Sequence, residues 1–279
     1  MKATSFSDLT LKDVLRDNLD TLGYTKMTDI QAQSLPWMLQ GQDVIAQAET
    51  GSGKTAAFAL SLLQKLDVDN LQPQALVLCP TRELADQVAK EIRRLARSLE
   101  NIKVLTLCGG MPIKAQISSL VFGAHIVVGT PGRIQDHIQR ASIKLDGVQT
   151  LVLDEADRML DMGFVDAIQQ ISQHLPASRQ SLLFSATYSA KVKNMAKKML
   201  KTPKVIKVAS IHDNQSIEQH FFEVKRPTEK LDALRRVLLD SQSESTVVFC
   251  NTKHEAQVVT DSLIADGFSA LDLTGDLEH

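Results

Sequence analysis

The sequence predicts an α/β protein: a parallel β-sheet covered by helices on both faces, followed by the beginning of a second, smaller unit of the same pattern. Short runs rich in Val, Ile and Leu alternate with longer stretches of helical spacing, and the alternation lapses once, near Ala209, before resuming. Apolar runs without polar alternation are what strands buried on both faces of a parallel sheet require.

The runs are DVIA from Asp43, ALVLC from Ala75, KVLTLC from Lys103, HIVVG from His125, TLVLD from Thr150, SLLFS from Ser181 and KVIKV from Lys204. Between them, stretches such as ELADQVAKEIRRLARSL from Glu83 and DAIQQISQHL from Asp166 are long enough to be crossover helices. The polar segment ASIHDNQSIEQH from Ala209 has no apolar period and reads as a linker, placing one unit at 1–208 and another at 209–279. In the second unit FFEV, STVVFC and SALDLTG read as strands, and EKLDALRRVLLD and HEAQVVTDSLIADG as helices. A sheet of this kind binds its ligands beyond the carboxyl ends of its strands.

With 279 residues, 43% apolar and 23% charged, the chain can bury a core and lies far from disordered or collagen-like compositions. Its 31 Lys and Arg against 33 Asp and Glu exclude a global attraction for nucleic acid, so such a partner must be held by a local cluster of donors. Cys79, Cys108 and Cys250 each end an apolar run and form no C-x-x-C pair, which predicts reduced thiols and neither zinc nor disulfides. The first twenty residues are polar and no stretch reaches membrane-spanning length, so the expectation is a cytoplasmic monomer without membrane contact.

Directly after the first run comes Ala48-Glu49-Thr50-Gly51-Ser52-Gly53-Lys54-Thr55, leading into the apolar AAFALSLLQKL. Gly51 and Gly53 let consecutive backbone N–H groups turn inward around phosphate oxygens, and the following helix aims its positive end at the same place. Lys54 supplies a point charge for the β and γ phosphates, and Thr55 a hydroxyl for Mg²⁺. The general phosphate-loop pattern has Gly where Ala48 stands. The run LVL at 151–153 then ends in Asp154, Glu155 and Asp157. Such a cluster calls for a cation: Asp154 at the strand tip can hold Mg²⁺, and Glu155 can orient and deprotonate an attacking water.

Asp154-Glu155-Ala156-Asp157 spells the motif of the DEAD-box RNA helicases, and the chain resembles that family in the order of its other segments. These are Pro80-Thr81-Arg82-Glu83-Leu84, Gly109-Gly110, Thr130-Pro131-Gly132-Arg133, Ser185-Ala186-Thr187 and Val247-Val248-Phe249-Cys250-Asn251-Thr252. Ala is usual in that family where Ala48 stands. The segments LVLCPTRELADQV, RRLAR, DEADRMLDMGF and VVFCNTK resemble in particular the bacterial DbpA type.

The resemblance implies a RecA-like P-loop domain followed by the incomplete start of a second RecA-like domain, with ATP and Mg²⁺ as ligands and RNA as partner. Gln31 resembles the glutamine of the Q motif, whose amide meets the adenine edge, while Phe6 and Tyr24 stand at the family's aromatic positions near the base. For Phe6 core packing is equally open. Met27 and Asp29 replace prolines common in that motif. Pro80, Thr81, Arg82, Gly109, Gly110, Thr130, Gly132 and Arg133 are implied to face the RNA backbone without reading bases. Asp157, Ser185 and Thr187 are implied to couple the acidic cluster to those loops. The stretch Lys191, Lys193, Lys197, Lys198, Lys201, Lys204 and Lys207 reads instead as a solvated face.

In the family ATP hydrolysis drives local unwinding of RNA duplexes, and by analogy the DbpA type implies a ribosomal RNA target and a role in ribosome biogenesis. The family's later motifs, of TDxAARGxD and HRxGRxxR type, do not occur in these residues, which implies nucleotide binding with slow turnover. A non-catalytic clamp for ATP and RNA is the alternative. A P-loop ATPase acting on protein leaves the PTREL, TPGR and SAT segments unexplained.

Overall fold

A computed structural model describes residues 5–208, 218–241 and 243–274. Most of the expected linker, 209–217, and the closing 275–279 lie outside the described residues. The chain divides into two compact units, Met1–Ile211 and His212–His279.

In the first unit every apolar run forms a strand. These are β1 (Val44–Gln47), β2 (Ala75–Leu78), β3 (Val104–Leu107), β4 (Ile126–Gly129), β5 (Thr150–Leu153), β6 (Gln180–Ser185) and β7 (Lys204–Lys207). They make one sheet in the order β3-β4-β2-β5-β6-β1-β7, and all its pairings are parallel. Alternate residues of the inner strands enter opposite cores: Val44, Val77, Val152 and Phe184 one, Ile45, Leu78, Leu153 and Leu183 the other. That two-sided burial is why the strands read as unbroken apolar runs.

The connecting helices are α1 (Asp13–Thr21), α2 (Asp29–Leu39), α3 (Lys54–Lys65), α4 (Arg82–Leu95), α5 (Ile113–Val121), α6 (Pro131–Gln139), α7 (Ala156–Asp161), α8 (Val165–Gln173) and α9 (Ala190–Met199). Residues of α1 to α4 fill the first core, and residues of α6 to α9 the second. The strand order explains the division. From β1 through β2 to β3 the chain steps one way across the sheet, and from β3 through β4, β5 and β6 to β7 it steps back. Right-handed crossovers in opposite directions must lie on opposite faces. Neighbouring strands therefore part company at their carboxyl ends: β1 continues into α3 but β6 into α9, and β2 continues into α4 but β4 into α6. Each divergence opens a crevice.

The second unit contains α10 (Lys230–Asp240) and α11 (Lys253–Ala265). Thr252 caps α11 by accepting from Glu255 N at 3.0 Å, and Arg235 of α10 pairs with Asp232 at 2.7 Å, with Asp266 and with Ser262 Oγ at 2.7 Å. The three strands read there from the sequence are not formed among the described residues: 221–224, 245–250 and 268–274 carry no strand pairing. A strand persists only when neighbours take up its backbone N–H and C=O groups and its side chains are covered. Here Leu263 is the one described residue that is fully buried, and Phe221, Val247, Phe249, Leu271 and Leu273 stand exposed.

Phe58 of α3 and Phe184 of β6 are both 0% exposed with ring centroids 5.3 Å apart, joining helix and sheet directly below the first crevice. Phe184→Ala is expected to lower the unfolding free energy by about 3–5 kcal/mol. Urea denaturation followed by circular dichroism measures it, and a loss well under about 1 kcal/mol would contradict this packing.

Candidate functional site

The loop between β1 and α3 sits at the first crevice. Gly51 and Gly53 take left-handed φ values of 82° and 93°, as the sharp inward turn of a phosphate loop requires. At Gly53 a Cβ would lie 2.6 Å from Gln31 Nε2, so a side chain there would also push the Gln31 amide aside. The Lys54 ammonium, 7% exposed, donates to the Ala48 carbonyl at 2.7 Å, and Ala48 N donates to Ser185 O at 3.1 Å. Ser52 Oγ donates to Glu49 O at 2.7 Å, closing the turn on itself. Thr50 and Gly51 are exposed at its rim, while Thr55 is half-buried in the first turn of α3.

Gln31 lies against this loop. Its Oε1 accepts from Thr28 N at 2.9 Å, capping α2, and its Nε2 donates to Gly53 O at 3.1 Å. An amide offers two acceptor and two donor positions, so each end keeps one for a ligand. Phe6 is 3% exposed in the first core and meets Tyr24 edge-on at 5.9 Å. The Tyr24 hydroxyl donates to Glu91 Oε1 at 2.9 Å and accepts from Arg94 Nη2 at 2.6 Å, which fixes the ring against α4.

Two strands from β1, Asp154 stands at the tip of β5, 3% exposed, its N–H donating to Leu78 O at 3.0 Å. Burial lifts its carboxyl to about 6, with the Lys54 ammonium pulling down and the Glu155 carboxylate pushing up. Lys54 and Asp154 thus feel each other across the crevice. Among the described residues no group of three His, Cys, Asp or Glu could hold a metal ion. The donors present, one carboxylate and the Thr55 hydroxyl, fit Mg²⁺, which takes few protein ligands and completes its shell with phosphate oxygens and water. Glu155 caps α7 with a left-handed backbone, φ 50° and ψ 52°, and its carboxylate lies 3.6 Å from Arg158 Nη1.

Asp157 bridges from this cluster to the loop after β6. Its Oδ2 accepts from both Thr187 N and Thr187 Oγ1 at 2.9 Å, and Ser185 Oγ donates to Thr187 O at 2.6 Å. Burial pushes the Asp157 carboxyl up, but the Thr187 and Ser185 hydrogen bonds outweigh it and the net shift is downward. The three residues expected to couple the acids to the loops are therefore in direct contact with one another.

The segments with a predicted RNA role line the second crevice, where the chain leaves β2, β3 and β4. Pro80 is buried, Thr81 caps α4 by accepting from Leu84 N at 3.3 Å, and Arg82 is exposed. Arg82 reaches over the β3 loop: a Cβ on Gly110, at φ 79°, would meet Arg82 Nη1 at 2.5 Å. Gly109 is exposed, and Thr130 and Gly132 are half-buried at the start of α6. Arg133 Nη1 donates to Met111 O at 2.9 Å and to Gln116 Oε1 at 3.0 Å. Gln116 and His137 were not singled out by the sequence. Each is a polar residue on the inward stripe of its helix, Gln116 beside Ile113 and Leu120, His137 beside Ile134 and Ile138, and that mismatch was the available signal.

The lysines of α9 are all exposed, and Lys204 Nζ stands 4.5 Å over the Trp37 ring. Cys79, Cys108 and Cys250 are free thiols; burial pushes Cys108 up to about 11 and Cys79 well above the usual range, which leaves both unreactive. No helix among the described residues is long and apolar enough to cross a membrane.

A buried carboxyl raised from 3.8 to about 6 binds its proton more tightly folded than unfolded. Stability from this group therefore falls as pH rises from 4 to 6, and the full penalty is present above it. In chelator, Asp154→Asn is expected to raise the unfolding free energy at pH 8 by on the order of 2 kcal/mol and to change it little at pH 4. Denaturant titrations at the two pH values measure this; destabilisation at pH 8 would sink it.

Comparison with known proteins agrees with the geometry. The family model for DEAD/DEAH box helicases matches residues 28–195. The chain is 53% identical over 277 residues to the ATP-dependent RNA helicase DbpA of Escherichia coli, covering 99% of this chain and 60% of that protein. It is 41% identical over 277 residues to the DEAD-box ATP-dependent RNA helicase CshA of Geobacillus kaustophilus, covering 99% and 59%. It thus spans about three fifths of the length of these relatives. Among solved structures, a DEAD box protein from Methanococcus jannaschii superposes with a TM-score of 0.72 at 39% identity, over 100% of this chain and 75% of that one. The S. cerevisiae Dbp5 variant bound to Gle1 gives 0.73 at 30%, over 99% and 69%. The chain belongs to the DEAD-box helicase family.

Proposed function

We propose that this chain binds ATP with Mg²⁺ in the first crevice and the RNA backbone in the second, as part of an ATP-dependent RNA helicase that separates short duplexes locally. The observation that carries the reading is the buried pair of opposite charges, Lys54 and Asp154, set on either side of a glycine-turned loop. The activity of the relatives, ATP-dependent RNA helicase, supports it.

In this reading the loop amides and the Lys54 ammonium grip the β and γ phosphates, and Gln31 meets adenine with the donor and acceptor it has left. Asp154 and Thr55 would hold Mg²⁺, which when bound neutralises charge on the phosphate oxygens. Glu155, one residue beyond the strand tip, orients the attacking water and takes its proton. Thr187, held by Asp157, relays movement at the acids to the loops that contact RNA. Arg82, the exposed amides near Gly109 and Gly110, and the Thr130 to Arg133 turn supply donors to phosphates and 2′-hydroxyls, so recognition carries little base specificity.

Arginines of the HRxGRxxR type, which stabilise the charge of phosphoryl transfer, do not occur in the 279 residues. Turnover by this chain is accordingly low, and a non-catalytic clamp for ATP and RNA remains the second reading. A cytoplasmic location, a monomeric state and a ribosomal RNA target belong to the proposal by analogy alone.

The test measures nucleotide binding, RNA binding and ATP turnover on the same chain. Lys54→Ala is expected to weaken ATP binding roughly 10- to 100-fold with RNA affinity unchanged. Arg82→Ala is expected to weaken RNA binding about tenfold with ATP affinity unchanged. Turnover should fall short of an intact two-domain enzyme by roughly 10³- to 10⁵-fold, the worth of an arginine finger. Tight ATP binding by the Lys54 variant would defeat the nucleotide assignment, and fast RNA-stimulated hydrolysis would defeat the claim of low turnover.

A further inference from the structure

Between α5 and α6 lies a buried polar cluster that the proposed chemistry leaves unused. Gln116 is the one fully buried residue of α5, 6% exposed. Its Nε2 donates to Cys108 O at 2.9 Å, at the end of β3. This bond fixes the amide orientation, so Oε1 is the acceptor for Arg133 Nη1 and for His137 Nε2, each at 3.0 Å. His137, 0% exposed, then carries a proton on Nε2, and its Nδ1 lies 2.8 Å from Ser142 Oγ, whose one proton is shared between Nδ1 and the His137 carbonyl at 3.1 Å. Burial first, and then the Arg133 charge, hold its imidazole below the usual histidine range, in keeping with that neutral tautomer.

Two side chains of α6 thus converge on one acceptor of α5, and backbone carbonyls on both sides of Gly109 and Gly110 are gripped: Cys108 by Gln116, Met111 by Arg133. Arg133, its side chain 13% exposed, uses Nη1 here and sets Nε 3.6 Å from Asp136, which leaves Nη2 for a ligand. Apolar residues of similar volume would fill the space between α5 and α6 at no greater cost. What they would not do is fix the direction of a guanidinium or the course of a glycine turn.

We infer that Gln116 and His137 are positioning residues of the RNA interface, holding Arg133 and the Cys108–Met111 loop in the arrangement that meets a phosphodiester backbone. The inference rests on the RNA-binding reading above. Neither residue touches RNA itself; both act through Arg133 and the loop.

The test compares the wild-type chain with His137→Leu, His137→Gln, Arg133→Ala and the double variant His137→Leu/Arg133→Ala. Affinity for a labelled single-stranded RNA is read by fluorescence anisotropy, affinity for a fluorescent ADP in parallel, and hydrogen exchange over 108–112 by mass spectrometry. His137→Leu is expected to weaken RNA binding about fivefold, to leave ADP affinity unchanged and to speed exchange at the loop. His137→Gln should recover most of the RNA affinity, since its amide N–H can reach the same acceptor. In the Arg133→Ala background the His137→Leu change should add nothing, which a general loss of stability would not reproduce. Gln116→Met replaces His137→Leu should that variant not fold, with the same expectations. Equal losses in both backgrounds, or RNA binding unaffected by His137→Leu, would overturn the inference. A wild-type chain that binds no RNA, with the exchange difference still present, would overturn the RNA reading and the interface role with it, and leave only the bracing of the loop.

Discussion

Burial of the Asp154 carboxyl at the tip of β5, across the first crevice from the Lys54 ammonium, is the constraint on which the site depends. Holding the Asp154 carboxylate out of water costs more than the Lys54 ammonium returns. The Asp154 carboxyl shows the tension: burial raises it to about 6 even with the ammonium nearby. That situation suits a site meant to receive a cation and a polyphosphate, which bring the missing charges. Stability is given up at the strand tip so that binding can recover it.

The sheet order makes such a site possible twice. Where β1 and β6 send their chains to opposite faces, the phosphate loop and the acidic cluster confront each other; where β2 and β4 do the same, Arg82, the glycine turn and Arg133 are gathered. The two crevices are joined physically at the centre of the sheet, since β5 pairs with both β2 and β6. The Asp157 and Thr187 contact spans the β5 and β6 tips, so a displacement at the acids has a short rigid route to its neighbours.

The sheet was legible because a strand buried on both faces must be apolar throughout, and ALVL or TLVL admits few other readings. The phosphate loop was legible because Gly51 and Gly53 meet a backbone demand that other residues satisfy poorly. The strands expected in the second unit failed for the converse reason: STVVFC reports propensity, whereas pairing depends on neighbours that a local reading does not see. Phe6 could be given either core packing or base stacking from its spacing, and it lies buried in the first core. Gln31 was read for its amide, but its bonds to Thr28 N and Gly53 O are set by the meeting of α2 with a loop 22 residues away. Gln116 and His137 belong to no motif: each is a single polar residue in an apolar stripe, and the partners it must find inside come from elements distant in sequence.

The second unit presents a different surface from the first. With Phe249 at 94%, Phe221 at 91% and Leu273 at 80% exposure, it presents greasy surface that water wets poorly and other macromolecules can cover. Surface of that kind is expected to favour association in concentrated samples, a tendency that belongs to the second unit and is separate from the packing of the sheet.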